Sequence, residues 1–293
     1  MTITRIERAV YGVEDVPLCT RFFEDFGLDT LRTGVGQRIV LRPVDDPALP
    51  AALEEGSTLR EVVWGVDTQA ALDALRADLE RDREVRVDED GSLHTLDETG
   101  FGLGFAVQEV AEPVVERRDV NGFGSVTRVN RPLDPPTRVR PLRICHVALN
   151  IPKPGREKAV AFYLDRLGFQ ATDVVEPMGV FMRAPGDADQ HTMLLCHRPD
   201  RAGINHTAYE VATFDDVING ANHMIESGWR EARKLGRHTI GSNVFRFVHA
   251  PCGGRVEYAA DMDRVDDTYA TRVHAETPPH HLWTLQSNRD GEQ

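Results

Sequence analysis

Three side chains able to hold a divalent cation stand on strand-like segments of the C-terminal half. They are His146 in RICHVALNI, His206 in NHTAYEVAT and Glu257 in RVEYAA. Two neutral imidazoles and one carboxylate form the facial set expected of a non-haem Fe(II) site, with up to three coordination positions left open. Glu257 lies in an otherwise apolar run, where an unpartnered charge costs several kcal/mol or changes its protonation. It belongs to a stretch, Gly236 to Ala260, that reads as a hairpin: an aromatic and β-branched run, a turn at Pro251-Cys252-Gly253-Gly254, then a second strand.

The elements that must position these residues repeat along the chain. RIERAVYGV near the start and RICHVALNI at the midpoint each precede a helix with one apolar stripe, Cys19, Phe22, Phe23 and Phe26 in the first and Val160, Tyr163, Leu164 and Leu167 in the second. Gly27 and Gly168 stop these helices. REVVWGVDT and NHTAYEVAT form a second, interleaved pair, and Thr213 with Asp216 caps the helix after the latter. The unit is β-α-β-β-β, present four times, over about 4–48, 58–110, 141–197 and 203–262. The expected class is α+β: four βαβββ modules paired into two domains, each a cupped mixed sheet flanked by helices. Residues 1–120 form the first domain, 121–140 a Gly-, Pro- and Arg-rich linker, 141–262 the second domain, and 263–293 a polar tail expected on the surface.

Alignment of the halves sets Arg8 against His146, Glu61 against His206 and Gly104 against Glu257. The metal-competent residues therefore occupy matching repeat positions in one half only, with the other half as scaffold. His94, His197, His223 and the tail histidines match no ligand position.

The C-terminal half resembles the type I extradiol ring-cleavage dioxygenases of the vicinal oxygen chelate superfamily. The resemblance rests on Gly236-x-His238, an aromatic position, Ala250-Pro251-x-Gly253 and then Glu257. It implies His146, His206 and Glu257 as ligands of Fe(II), with Mn(II) also accepted by such a donor set, and His191 and His238 as catalytic residues. His191 would take a proton from the substrate and later help to break the O–O bond, which suits an imidazole because it titrates near neutral pH. His238 would stabilise charge on a substrate oxygen. A catechol would bind through two oxygens beside dioxygen. One position departs from the family pattern: Phe247 stands where a tyrosine is usual, a hydrogen bond worth about 1–3 kcal/mol. His249 could replace that hydroxyl in part, and Asn243, Arg183 and Arg246 have the reach to bind a substrate carboxylate or steady a neighbouring group. Tyr209, Phe181, Met178 and Val180 are candidates for the cavity wall or the core.

Composition bounds the alternatives. With a net charge of −13, the chain suits neither nucleic acid nor an anionic membrane. MTITRIERAV lacks the apolar run of a signal peptide, and no stretch approaches about 20 apolar residues, so a cytoplasmic protein is expected. Cys19, Cys145, Cys196 and Cys252 have no CxxC spacing and read as reduced thiols. The expected activity is Fe(II)-dependent extradiol cleavage of a catechol by a homo-oligomer. The alternatives are a glyoxalase- or epimerase-like metalloenzyme of the same superfamily and a non-catalytic small-molecule-binding (resistance) protein.

Overall fold

The computed structural model describes residues 2–28, 38–108, 121–133 and 137–286. In the N-terminal half, β1 (Ile3–Val13) leads into α1 (Val16–Asp25) and β2 (Arg38–Pro43). There follow β3 (Thr58–Val66), α2 (Gln69–Leu79), β4 (Arg86–Val87), β5 (Leu93–Leu96) and β6 (Gly102–Val107). The C-terminal half begins with β7 (Arg143–Pro152), α3 (Arg156–Ala161), β8 (Gln170–Val175), β9 (Gly179–Arg183) and β10 (Met193–Arg198). It continues with β11 (Gly203–Glu210), α4 (Phe214–Glu226), β12 (Glu231–His238), β13 (Val244–His249) and β14 (Arg255–Ala260), then β15 (Arg272–His274) and β16 (His281–Thr284). Three units thus follow the order βαβββ. The described part of the first unit is β1-α1-β2, and residues 29–37 of its span, like 109–120 of the first expected domain and 134–136 of the linker, lie outside the described residues.

Two mixed sheets carry the strands, in the order β2-β1-β3-β6-β5-β4 and β15-β8-β9-β10-β7-β11-β14-β13-β12-β16. In each, the first strands of two successive units pair antiparallel, β1 with β3 and β7 with β11. Side-chain caps start the helices: Asp15 accepts from the Leu18 N–H, Thr68 from Ala71 and Thr213 from Asp216. The third unit differs from its periodicity. After Ala161 the helix widens into one π-helical turn, Phe162–Arg166, so Phe162 and Tyr163 are buried while Val160 and Leu164 are only partly so.

One apolar core runs through both halves. Phe26 of α1 stacks on Tyr258 of β14 at 3.9 Å between ring centres, and the Tyr258 hydroxyl donates to the Phe26 carbonyl at 2.7 Å. Trp229 donates to Asp25 at 2.8 Å, Tyr163 to Asp97 at 2.8 Å, and Trp64 meets Phe169 edge-on. Fully burying one such ring contributes about 1.5–3 kcal/mol, so these contacts hold the second sheet against the first rather than leaving it on a loose tether. The hairpin turn joins the same seam. Gly253 has φ of +100°, and a Cβ there would meet the Ser57 carbonyl oxygen at 2.2 Å, so only glycine fits.

The described part of the polar tail lies on the surface and also completes the second sheet. β15 pairs with β8 at one edge and β16 with β12 at the other, so residues 275–280 cross the open face between them. Pairing the two edge strands satisfies backbone groups that would otherwise be free, which fixes the crossing segment in place. Residues 287–293 lie outside the described residues.

Candidate metal centre and its cavity

Strand register assembles the centre. On adjacent strands His146 pairs with Ala208, and Ala208 with Glu257, so His146 and Glu257 flank β11 from either side. His206, two residues before Ala208, rises on the same face. His146 Nε2 and His206 Nε2 are 3.0 Å apart, and they lie 3.2 and 3.4 Å from Glu257 Oε2. Glu257 Oε2 is buried and has no hydrogen-bond partner among the described residues, whereas Oε1 accepts from Asn243 Nδ2 at 3.1 Å. Asn205 Oδ1 lies 2.9 Å from His206 Nδ1, and as an acceptor it draws the proton there, leaving a lone pair on Nε2.

Lone-pair atoms converging on one point repel unless a cation lies between them, and this donor set fits a divalent ion. The electrostatics agree. Burial, helped by Arg143, lowers His146 to about 3, and burial holds His191 and His206 well below the ordinary imidazole value. His146 and His206 are therefore neutral, as ligation requires, and so is His191. Burial pushes Glu257 up to about 7, a strain that a bound cation reverses.

Beside the three ligand atoms opens a cavity of about 420 Å³ lined by both metal-competent histidines, His191, His238, Phe247 and the tail segment Thr277–His280. Met178, Phe181, Leu194 and Ile240 supply an apolar wall. His191 stands just before β10, its ring 4.6 Å from that of His146. Its Nδ1 is 2.6 Å from Gln190 Oε1, and Gln190 Nε2 donates to Asp173 Oδ2 at 2.7 Å. A carboxylate can only accept, so Asp173 turns the Gln190 amide with its oxygen toward His191. The His191 proton then sits on Nδ1, and Nε2 keeps its lone pair. Asp173 is itself fully buried and held by Arg272 and His274 of the tail. Gly241, at φ +81°, leaves room for this arrangement: a Cβ there would lie 3.1 Å from His191 Cε1. His238 stacks on Phe245, faces Glu257 Oε1 at 3.7 Å through Nε2, and has Nδ1 3.3 Å from the His280 carbonyl, which sets its proton on Nδ1. Burial lowers it to about 4, against the pull of Glu257.

The remaining sequence candidates divide. Phe247 lines the cavity, edge-on to His206. Asn243 does not face the cavity; it is fully buried and holds Glu257. His249 lies at the far end of β13, its N–H bonded to the Arg230 carbonyl, and is not part of the cavity wall. Arg183 bonds Asp187 and Asp267, and Arg246 bonds Glu231 and Asn222, so neither is free for a ligand. Phe181 and Met178 line the cavity wall, while Tyr209 packs in the core against Phe26. Three residues that pattern reading passed over also line the cavity: Arg198, Arg233 and Arg255. A signal existed for Arg255, two residues before Glu257 and hence on its strand face; Arg233 reaches the cavity through a register shift in β12 that no periodicity announces.

Residues 143–258 match the sequence model of the Glyoxalase/Bleomycin resistance protein/Dioxygenase superfamily. Among curated proteins, metapyrocatechase 2 of Cupriavidus necator is 37% identical over 128 residues, 44% of this chain and 39% of that protein. The match therefore spans less than half of that relative. Among solved structures, BphC, a halotolerant catechol dioxygenase, superposes with a TM-score of 0.73 at 15% identity, covering 98% of this chain and 96% of that one. The Mn(II)-bound glyoxalase from Novosphingobium aromaticivorans superposes with a TM-score of 0.71 at 23% identity, covering 94% and 89%. At such identities the likeness is one of fold. It extends over both halves of the chain.

Proposed function

We propose that the protein is an extradiol dioxygenase that opens a catechol-type ring with dioxygen, both oxygen atoms ending in the product. The observation that carries this reading is the orphaned Glu257 Oε2 facing two imidazole Nε2 atoms at the edge of a half-closed cavity with one apolar wall. The curated relative named metapyrocatechase supports the choice of reaction.

His146, His206 and Glu257 would hold the metal, Fe(II) in our reading, though Mn(II) suits the same donors. When bound, the ion supplies a common point for both substrate oxygens and dioxygen and a path for electrons between them. The remaining work falls to the chain. His191, neutral and with its lone pair on Nε2, accepts a proton from a substrate hydroxyl; Gln190 and Asp173 hold it in that tautomer. His238, with its proton on Nδ1, offers Nε2 to a substrate hydroxyl that keeps its hydrogen. Phe181, Leu194, Ile240 and the crossing segment Thr277–His280 keep water from the ring.

The test is metal content and oxygen uptake. Protein purified without oxygen should hold about one iron per chain and consume one dioxygen per catechol, giving a coloured ring-opened acid. Metal-loaded protein that never consumes oxygen with any catechol would defeat the proposal. The fold shared with the Mn(II)-bound glyoxalase favours a second reading, Lewis-acid chemistry without oxygen. Turnover of a hemithioacetal under nitrogen would select it.

A further inference from the structure

We infer that the cavity is built for a catechol carrying a carboxylate, gripped by Arg233, Arg255 and Arg198 on the side away from the ring hydroxyls. The inference rests on the ring-cleavage reading and names the substrate class for that same site.

Charge placement is the first observation. The chain has 47 acidic residues against 34 lysines and arginines, and its buried arginines are matched: Arg143, for example, meets Asp187, Asp189 and Glu210. Three guanidiniums nevertheless line one cavity whose wall contains no Asp or Glu. Arg255 donates to Asn205 Oδ1, and Arg198 to Asn150 Oδ1 and the His197 carbonyl. The Arg233 guanidinium makes no hydrogen bond among the described residues; its contact is with the face of Phe247. Gathering like charges in a half-closed space is unfavourable unless a counter-charge balances them. The carboxylate whose field reaches Arg233 and Arg255 is Glu257, which is set to hold the metal and makes no ion pair with either, so the pull on an entering anion remains.

Geometry is the second. Arg233, Phe247 and Glu257 are paired across three neighbouring strands, β12, β13 and β14, and Arg255 precedes Glu257 by two on the same face. At about 4.8 Å per strand, Arg233 stands roughly 10 Å from Glu257, with the Phe247 ring between them. The guanidinium carbons of Arg233 and Arg255 lie 5.5 and 5.3 Å from the centre of that ring. Stacking holds both guanidinium groups while their N–H edges remain able to grip a planar carboxylate in pairs. The phenylalanine that replaces a tyrosine thus has a task of its own: it supports cations rather than donating a hydrogen bond. The other half offers a control. There Arg86 holds the position equivalent to Arg233, paired with His94 across the strands, and its charge is met by Asp88.

The experiment compares (3,4-dihydroxyphenyl)acetate and its 2,3-dihydroxy isomer with their primary amides, which have nearly the same shape and no charge. At least one acid should exceed its amide in kcat/KM by about tenfold or more, chiefly through KM, as charge-assisted hydrogen bonds of this kind produce. Arg233→Met should bring the two toward parity, with Arg233→Lys between. Arg233 is exposed, so its replacement does not threaten folding. Binding of phenylacetate, which has no hydroxyls, to wild type and Arg233→Met by calorimetry reads the same site without turnover; it should weaken in the variant and with added salt. Equal handling of acid and amide by the wild type overturns the inference. So does an unchanged ratio in Arg233→Met, or inorganic sulfate competing as well as phenylacetate. Absence of turnover with every catechol would instead strike the ring-cleavage reading, leaving phenylacetate binding to decide on the arginines.

Discussion

The two halves of the chain place different residues on one backbone plan. In the N-terminal sheet Arg8 pairs with Val63, and Val63 with Gly104; in the C-terminal sheet His146 pairs with Ala208, and Ala208 with Glu257. Glu61 and His206 each sit two residues before the central partner. The outcomes are opposite. In the first half His94, at the strand position that Phe247 holds in the second, binds Glu61 through Nδ1 at 2.8 Å, and Arg8 is drawn away to Asp90. Glu61, His94 and Arg8 each find a protein partner, and the space over them is a pocket of about 60 Å³ beside a more open groove of about 310 Å³ along Glu61 and His94. In the second half a phenylalanine cannot satisfy a carboxylate, so Glu257 keeps one oxygen open beside a cavity of about 420 Å³. A carboxylate oxygen stays open where the equivalent strand position carries a ring without a polar tip, and it is satisfied where that position carries an imidazole that can bond it.

This contrast can be attacked directly. Glu257→Gln or His206→Ala should abolish metal binding and reduce turnover to background, while Glu61→Gln should leave one metal per chain by elemental analysis. Loss of metal from the Glu61 variant would mean that the halves are not independent in this respect. A smaller effect is expected at the support of His191. Asp173→Asn frees the Gln190 amide to turn, so kcat should fall about 10- to 100-fold, the range seen for partners that orient a functional imidazole, with metal content retained. Unaltered kcat would remove the relay from the mechanism.

Metal affinity should also follow pH. Glu257 is raised to about 7, so below that pH metal must displace a proton from the folded protein. Affinity should rise about tenfold per pH unit up to 7 and then level, with close to one proton released at pH 6 and almost none at pH 8.5, measured by titration in weak buffer. Stability should respond in the closed half. A Cβ on Gly104 would lie 2.8 Å from Val63 Cγ2, so Gly104→Ala should cost about 1–3 kcal/mol in denaturant melts without touching metal content. Least affected should be His280→Ala. Its backbone oxygen, not its ring, meets His238, so turnover should stay within about twofold.

Much of the architecture is legible in the repeats. Paired motifs such as RIERAVYGV and RICHVALNI mark the first strands of equivalent units, and the Gly236–Ala260 stretch folds as the hairpin its turn residues specify, with the ladder from Val244–Ala260 to His249–Arg255. Less legible were residues whose role depends on what crosses the sheet. Asn243 read as either a substrate contact or a support for a neighbouring group, and only tertiary packing turns it onto Glu257. The tail read as surface and is exposed, but that it also meets both sheet edges and supplies the His280 carbonyl was not legible, because hydrogen-bonding needs of edge strands are invisible in a hydropathy pattern.

What the sequence determined by itself was identity at equivalent positions: two histidines and a glutamate in one half against arginine, glutamate and glycine in the other. Strand alternation then leaves them no choice of face. What only the tertiary structure decided is which charges are answered. Glu61 and Glu257 are both buried carboxylates on inner strands, and nothing local distinguishes them. Whether the sheet brings His94 or Phe247 within reach, and whether three arginines face one empty space, depends on register across strands far apart in the chain, where the low dielectric of the interior makes each unanswered charge count.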